Sequence, residues 1–293
     1  MLGALRESNG GRHRDRIGPR RRQACAKLRG VTVTDDDLDS IPGWFDPMDR
    51  ELFRWFLTAG RAASGAGNIA ELGAYMGQSA VLLGDHLEDG EELTVIDLFE
   101  AQADDAGNLE ENAVSYPGLS RQGFEANYTR IHAHLPRVVQ DFSERIVDHV
   151  AEGSVRFVHI DASHLYDQVV GDIKAAKTLL SEAGVVAFDD YRATHTPGVA
   201  AAVWEAVASD GLHPIVLSSK KLYATWGDPA PYVRAIPRQT SRWTSEIQSV
   251  AGADLLVLSP AHHETYRWIR YLPPATVPHA KRARARLASW TKR

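Results

Sequence analysis

Strand-like runs that alternate with helical patterns constrain this chain more than any other feature. The runs lie at 68–74, 93–99, 137–142, 155–162 and 184–190. Helical spacing precedes them at 46–62, where Met48, Leu52, Trp55, Phe56 and Ala59 recur. It follows them at 78–87, and again at 165–183, where Leu165, Val169, Ile173, Ala176 and Leu180 share one face. Thr196-Pro197 supplies a cap and a first-turn proline for a helix through about Ser209. Such alternation predicts a parallel sheet covered on both faces. The runs 213–219 and 222–226 are joined only by Lys220-Lys221 or so, too short for a crossover helix. They must therefore pair antiparallel.

Three stretches are expected: a basic tail over 1–35, a main domain over 36–229 and an extension over 230–293 to which no architecture is assigned. The tail carries Arg20-Arg21-Arg22 and reads as disordered, as a transit segment interrupted by Glu7 and Asp15, or as an overlong start. The basic run at 281–286 is either a solvated helical face or a phosphate-binding strip. A formal net charge of -5 argues against a nucleic-acid partner. The single cysteine, Cys25, excludes an internal disulfide and a thiolate zinc site, as suits a cytoplasmic protein. No apolar run approaches the roughly 20 residues of a membrane span. Self-association stays open.

The first strand-turn-helix reads Glu71-Leu72-Gly73-Ala74-Tyr75-Met76-Gly77-Gln78-Ser79. Glycines between a strand and a helix let a ligand approach the backbone and the helix start. The dinucleotide spacing G-x-G-x-x-G is absent, which speaks against a nicotinamide oxidoreductase. Glu71 suits a ligand bearing an ammonium and no phosphate, such as S-adenosylmethionine; otherwise it is incidental to a packing turn. Asp97, ending the second run, is placed to accept from both hydroxyls of a ribose. Asp141, Phe142 and Ser143 either wall an adenine or cap the next helix.

Two acidic clusters end the fourth and fifth runs: Asp161, followed by Ser163 and His164, and the pair Asp189-Asp190. Adjacent parallel strands bring these tips together, and three close carboxylates repel one another. A divalent cation relieves this, and oxygen ligands favour magnesium or a similar ion. Alternatively, the pair caps the next segment and Asp161 faces water. His164 has the titration range of a general base, or is a plain loop histidine; His159 reads as a core residue, and His195 as a border of the acceptor pocket.

Taken together, Glu71-x-Gly73-x-x-x-Gly77-x-Ser79, Ile96-Asp97, His159-x-Asp161-x-x-His164-x-Tyr166, Asp172 and Phe188-Asp189-Asp190-Tyr191 resemble the class I methyltransferases of methyltransferase family 24. Relatives include antibiotic sugar O-methyltransferases and, more distantly, catechol O-methyltransferase. The resemblance covers about 40–227. It implies a Rossmann-like, mostly parallel seven-stranded sheet with a C-terminal antiparallel hairpin. It implies S-adenosylmethionine on Glu71, Gly73, Tyr75, Gly77, Ser79, Asp97 and 141–143. Mg2+ would sit on Asp161, Asp189 and Asp190, with Asp161 and His164 catalytic. Ser163 stands where some sugar enzymes carry a second aspartate, which leaves His164 as base. The expected reaction is O-methylation of a small-molecule sugar or phenol. The alternatives are a metal-independent methyltransferase and a non-catalytic cofactor-binding module.

Overall fold

A computed structural model of the protein describes residues 32–101, 118–250 and 252–261. The tail before residue 32, Cys25 and the basic run at 281–286 lie outside the described residues. One sheet of nine strands organises the rest: β1 (Asn68–Leu72), β2 (Leu93–Asp97), β3 (Arg137–Gln140), β4 (Val155–Ile160), β5 (Leu180–Phe188), β6 (His213–Leu217), β7 (Leu222–Thr225), β8 (Trp243–Val250) and β9 (Ala253–Pro260). Their order is β3-β2-β1-β4-β5-β7-β6-β9-β8. The first five are parallel, and β7 runs antiparallel to both β5 and β6. The mostly parallel sheet and its antiparallel hairpin are therefore as expected. The count differs, because β9 lies parallel beside β6 and carries β8 on its outer edge. Residues 243–250 and 253–260 thus extend the same sheet, and Trp243 at the start of β8 is buried. The two strands fold back at Gly252, whose φ of 81° suits glycine.

Helices cover both faces. On one face lie α1 (Asp35–Asp39), α2 (Pro47–Leu57), α3 (Arg61–Ser64), α4 (Gln78–Asp85) and α5 (Arg121–Thr129); on the other, α6 (Tyr166–Leu179) and α7 (Pro197–Ser209). A short α8 (Ala230–Ala235) precedes β8. Helix α1 begins with a capping box between Thr34 and Asp37, inside the stretch expected to be tail. Helix α2 starts where Asp46 caps the Met48 amide at 2.8 Å and Pro47 fills the first turn. Helix α6 stops four residues before the helical periodicity does, because Leu180 pairs with Val155 and a bulge then resets the ladder to Phe157–Val185.

Alternation along the buried strands sorts side chains between two cores. Ile69, Phe157, Val185, Ala187 and Tyr223 pack on the α2 face, while Ala70, Leu72, Val158, Ile160, Val186 and Phe188 pack on the α6–α7 face. Phe53 of α2 anchors the first core, with its ring 5.1 Å from Phe157, 5.0 Å from His159 and 6.0 Å from Tyr223. The chain leaves β1 toward β2 and β3, then returns to β4 on the other side. The β1–β4 boundary is thus the topological switch point, where open α/β sheets bind ligands at the strand carboxyl ends.

Candidate active site

At that switch point the two strand tips touch. Gly73 has φ 80°, and a Cβ there would lie 2.1 Å from the Asp161 carbonyl oxygen. The glycine is demanded first by the neighbouring main chain, and only then by any ligand. Three non-glycine residues with positive φ, Tyr75, Phe99 and Asp190, follow the ends of β1, β2 and β5. Such conformations concentrate at functional sites.

A cavity of about 360 Å³ opens above these tips, within the small-molecule range of roughly 300–1,000 Å³. Gly73, Tyr75, Ser79, Asp97, Phe142 and Ser143 line one end. Asp161, His164, Asp189, Asp190, His195 and Lys221 line the other. Pro42–Phe45 closes over it from the α1–α2 loop, held by Gln78, which accepts from the Phe45 amide (3.0 Å) and donates to the Leu38 carbonyl (2.8 Å). Trp44, 69% exposed, stacks on Tyr75 at 5.5 Å.

Asp97 gathers the glycine turn. Its Oδ2 accepts from the Ala74 and Tyr75 amides at 2.7 and 3.1 Å, and its Oδ1 from the Phe99 amide at 2.6 Å. Burial holds its pKa above the ordinary carboxylate value, with these amides opposing. A carboxylate offers about four lone-pair sites, so roughly one remains. Asp97 lines the cavity as expected of a ribose-binding residue, with part of its accepting capacity already taken by these amides.

Three other expected cofactor ligands do not reach the cavity wall. Gly77 caps α4 in the left-handed conformation and packs under Phe124, which a Cβ would approach to 3.0 Å. Asp141 accepts from the Phe142 amide at 2.9 Å and faces Arg145 at 3.6 Å; it does not cap the short helix at Ser143–Asp148, whose N-terminus carries no side-chain cap. Glu71 shares the strand face of Ile69 and is fully buried, with its Oε1 2.8 Å from His159 Nδ1. The β1–β4 register sets Glu71 directly beside His159, beneath the cavity floor.

The acidic end departs further from expectation. Asp189 follows Ala187 onto the α2 face, and its amide extends the ladder by bonding the Ile160 carbonyl at 2.9 Å. Asp190 turns the other way, and its Oδ2 lies 3.4 Å from His164 Nε2. Strand β5 ends at Phe188 and Asp190 takes a left-handed φ of 48°, so this turn sends the Asp190 carboxylate toward His164 while that of Asp189 stays with Lys221. The Asp190 carbonyl is tied to the Thr196 hydroxyl at 2.9 Å, so that side chain holds the β5 tip instead of capping α7. Among the described residues, the group able to share an ion is His159, Asp161 and Asp189, without Asp190.

Sequence reasoning missed Lys221. It is buried, lies one strand step before Tyr223, and donates to Asp189 Oδ2 while lying 3.1 Å from His159 Nε2. With Nδ1 held by Glu71, Nε2 is left as the acceptor for the ammonium, giving a chain Glu71–His159–Lys221–Asp189. Phe45 and Phe53 flank the ammonium, at 5.6 and 5.9 Å from their ring centres. Burial raises the Asp189 pKa, but Lys221 and His159 outweigh it and bring the group to about 2. Burial and the Asp189 charge hold Asp161 well above the usual carboxylate range. Asp49, buried on α2 and accepting from the Tyr223 hydroxyl at 2.8 Å, is pushed up to about 6 by desolvation.

A divalent ion on Asp161, Asp189 and Asp190 does not fit this arrangement. Asp190 faces His164, and an ammonium already sits on Asp189 and His159.

Residues 70–191 match the family model described as a methyltransferase domain. Among curated proteins, none matches the chain. Solved structures resemble it at low identity. A protein from Corynebacterium glutamicum is 17% identical over 68% of this chain and 93% of its own, with a TM-score of 0.48. The O-methyltransferase NovP is 16% identical over 61% and 79%, at 0.47. CalS11, a TDP-rhamnose 3'-O-methyltransferase of calicheamicin biosynthesis, is 16% identical over 68% and 89%, at 0.44. The matched segment runs from β1 to the residue after the acid pair, and so takes in both ends of the cavity. Over residues 70–191 the chain therefore carries a stretch similar to a methyltransferase domain, in keeping with a class I S-adenosylmethionine-dependent methyltransferase.

Proposed function

We propose that the protein methylates a hydroxyl oxygen of a small molecule, a sugar or phenol. The observation that carries this reading is the single cavity joining a glycine-turn end to an acid-and-histidine end. S-adenosylmethionine supplies the methyl as an electrophile on a sulfonium. Gly73, Tyr75, Ser79 and Asp97 hold its methionine and ribose parts, and Phe142 and Ser143 border its adenine. Asp97, the acid that lines that end, suits a cationic ligand better than a pyrophosphate.

At the other end His164 takes the proton from the acceptor hydroxyl. Asp190, 3.4 Å away, orients the imidazole. Asp161 hydrogen-bonds the acceptor and fixes its approach, and holding two reactants in line removes much of the barrier. Trp44, stacked on Tyr75, flanks the mouth and offers a flat face to a ring-shaped acceptor. No step is assigned to a divalent ion.

Calorimetric and thermal-shift titration with S-adenosylhomocysteine, NAD and a UDP-sugar tests the donor. Stabilisation by the first alone is expected; stabilisation by NAD instead ends the reading. Screening hydroxylated acceptors with a labelled methyl donor tests the acceptor. Transfer to nitrogen or carbon centres alone overturns O-methylation.

A further inference from the structure

We infer that the Lys221 ammonium is the resident cation of the acceptor end, and that it excludes a divalent ion from the Asp161–Asp189 pair. The inference rests on the methyltransferase reading only for its catalytic consequence. Its structural part stands on donor atoms. An ion at this group needs a lone pair from His159 and oxygens from Asp161 and Asp189. His159 has Nδ1 on Glu71 and Nε2 on Lys221, and Asp189 Oδ2 accepts from Lys221. Asp189 Oδ1 accepts from the Asp190 amide at 2.7 Å. The ammonium therefore occupies two of the three side chains that a metal would coordinate, His159 and Asp189.

Lys221 cannot easily withdraw. It is 2% exposed, flanked by Phe45 and Phe53, and its neighbouring charges Asp49, Asp161 and Asp189 are all acidic. A buried ammonium separated from its carboxylate is strongly unfavourable. Its backbone is anchored by Ser218, whose hydroxyl accepts from the Lys221 amide at 2.8 Å and donates to the Lys221 carbonyl at 3.1 Å. An ammonium has three donors, of which Asp189 and His159 take two. Lys221 also lines the cavity, so the third is available to an acceptor oxygen. As that oxygen passes its proton to His164 and forms its bond to the methyl carbon, the carbon–sulfur bond breaks with its electron pair on sulfur. The ammonium meets the developing negative charge that a metal would otherwise meet.

Manganese titration followed by electron paramagnetic resonance tests this without any methyl transfer. For the wild-type protein we expect no loss of the free-ion signal up to about 1 mM Mn2+, the weak end of protein cation sites. For Lys221→Met, binding at least tenfold tighter is expected, and it is abolished by a further Asp161→Asn change. Once an acceptor is known, wild-type turnover is expected to be unchanged in excess chelator. Lys221→Met turnover falls by roughly 100-fold, and Mg2+ partly restores it. Wild-type binding below about 0.1 mM that disappears in Asp161→Asn overturns the proposal, as does loss of wild-type turnover in chelator. Should Lys221→Met fail to fold, the wild-type titration decides alone. Failure of S-adenosylhomocysteine to bind would end the methyltransferase reading and leave the manganese result standing.

Discussion

At the tips of β1 and β2 the cavity wall is main chain. Ala74, Tyr75 and Phe99 present amides to one carboxylate, Asp97, within a span of 26 residues. At the tips of β4, β5 and β7 the wall is ionisable side chain brought from afar. Lys221 reaches His159 across 62 positions, and Tyr223 reaches Asp49 across 174. The first end is stiff because its geometry is local. The second is a charge network whose members hold one another in place, so removing one leaves another buried and unpaired. Donor binding and acceptor chemistry are therefore separable by mutation, except where the two ends touch.

They touch at Gly73, which gives the largest expected effect. Gly73→Ala combines positive φ with a Cβ 2.1 Å from the Asp161 carbonyl. We expect a stability loss of at least about 3 kcal/mol by denaturant unfolding, with loss of both donor binding and turnover. A stable variant that binds donor normally would break the claim that the two ends share this contact. Next comes Asp161→Asn, in which turnover is expected to drop by roughly 100-fold or more while S-adenosylhomocysteine affinity stays within about threefold. Equal losses in both would mean that the ends are not separable. His164→Gln is expected to lower turnover by about 100-fold and to remove the acidic limb of its pH profile, since the base works only when deprotonated.

The smallest effect sharpens the comparison from outside the cavity. Asp172 is buried on α6, and desolvation pushes it up to about 7 from 3.8, with Ser143 opposing. Its folded pKa lies above the unfolded one, so the unfolded chain releases this proton first. Stability is lost as pH rises from about 4 to 7 and is not recovered above that. Asp172→Asn is expected to match the wild type near pH 4 and to exceed it at pH 8 by on the order of 1–3 kcal/mol, read from unfolding midpoints. A variant less stable at pH 8 would contradict the burial argument.

What the sequence made legible follows the same division. The five parallel strands, the glycine turn and the hairpin were readable because each is announced within a few residues by period and turn chemistry. Asp161, His164 and Asp189 were readable as strand-tip residues. The parting of Asp189 from Asp190 was not readable, because it is made by a left-handed turn at Asp190 that the doublet does not announce. Glu71 shares parity with Ile69, which buries it under the floor. Lys221 was concealed in a two-lysine link, although its parity with buried Tyr223 signalled an inward side chain. The β8–β9 hairpin was not readable, because its pairing partner β6 lies outside its own segment and β8 is largely exposed. Among the described residues no helix is long and apolar enough to cross a membrane.

The account depends most on one cavity having a donor end built on Asp97 and an acceptor end built on the Asp161–Asp189–Lys221 network. Titration calorimetry of S-adenosylhomocysteine into the wild type, Asp97→Ala and Asp161→Asn tests this directly. We predict binding in the wild type, at least tenfold weaker binding in Asp97→Ala, and near-wild-type affinity in Asp161→Asn. No binding in the wild type, or unchanged affinity in Asp97→Ala, would contradict it.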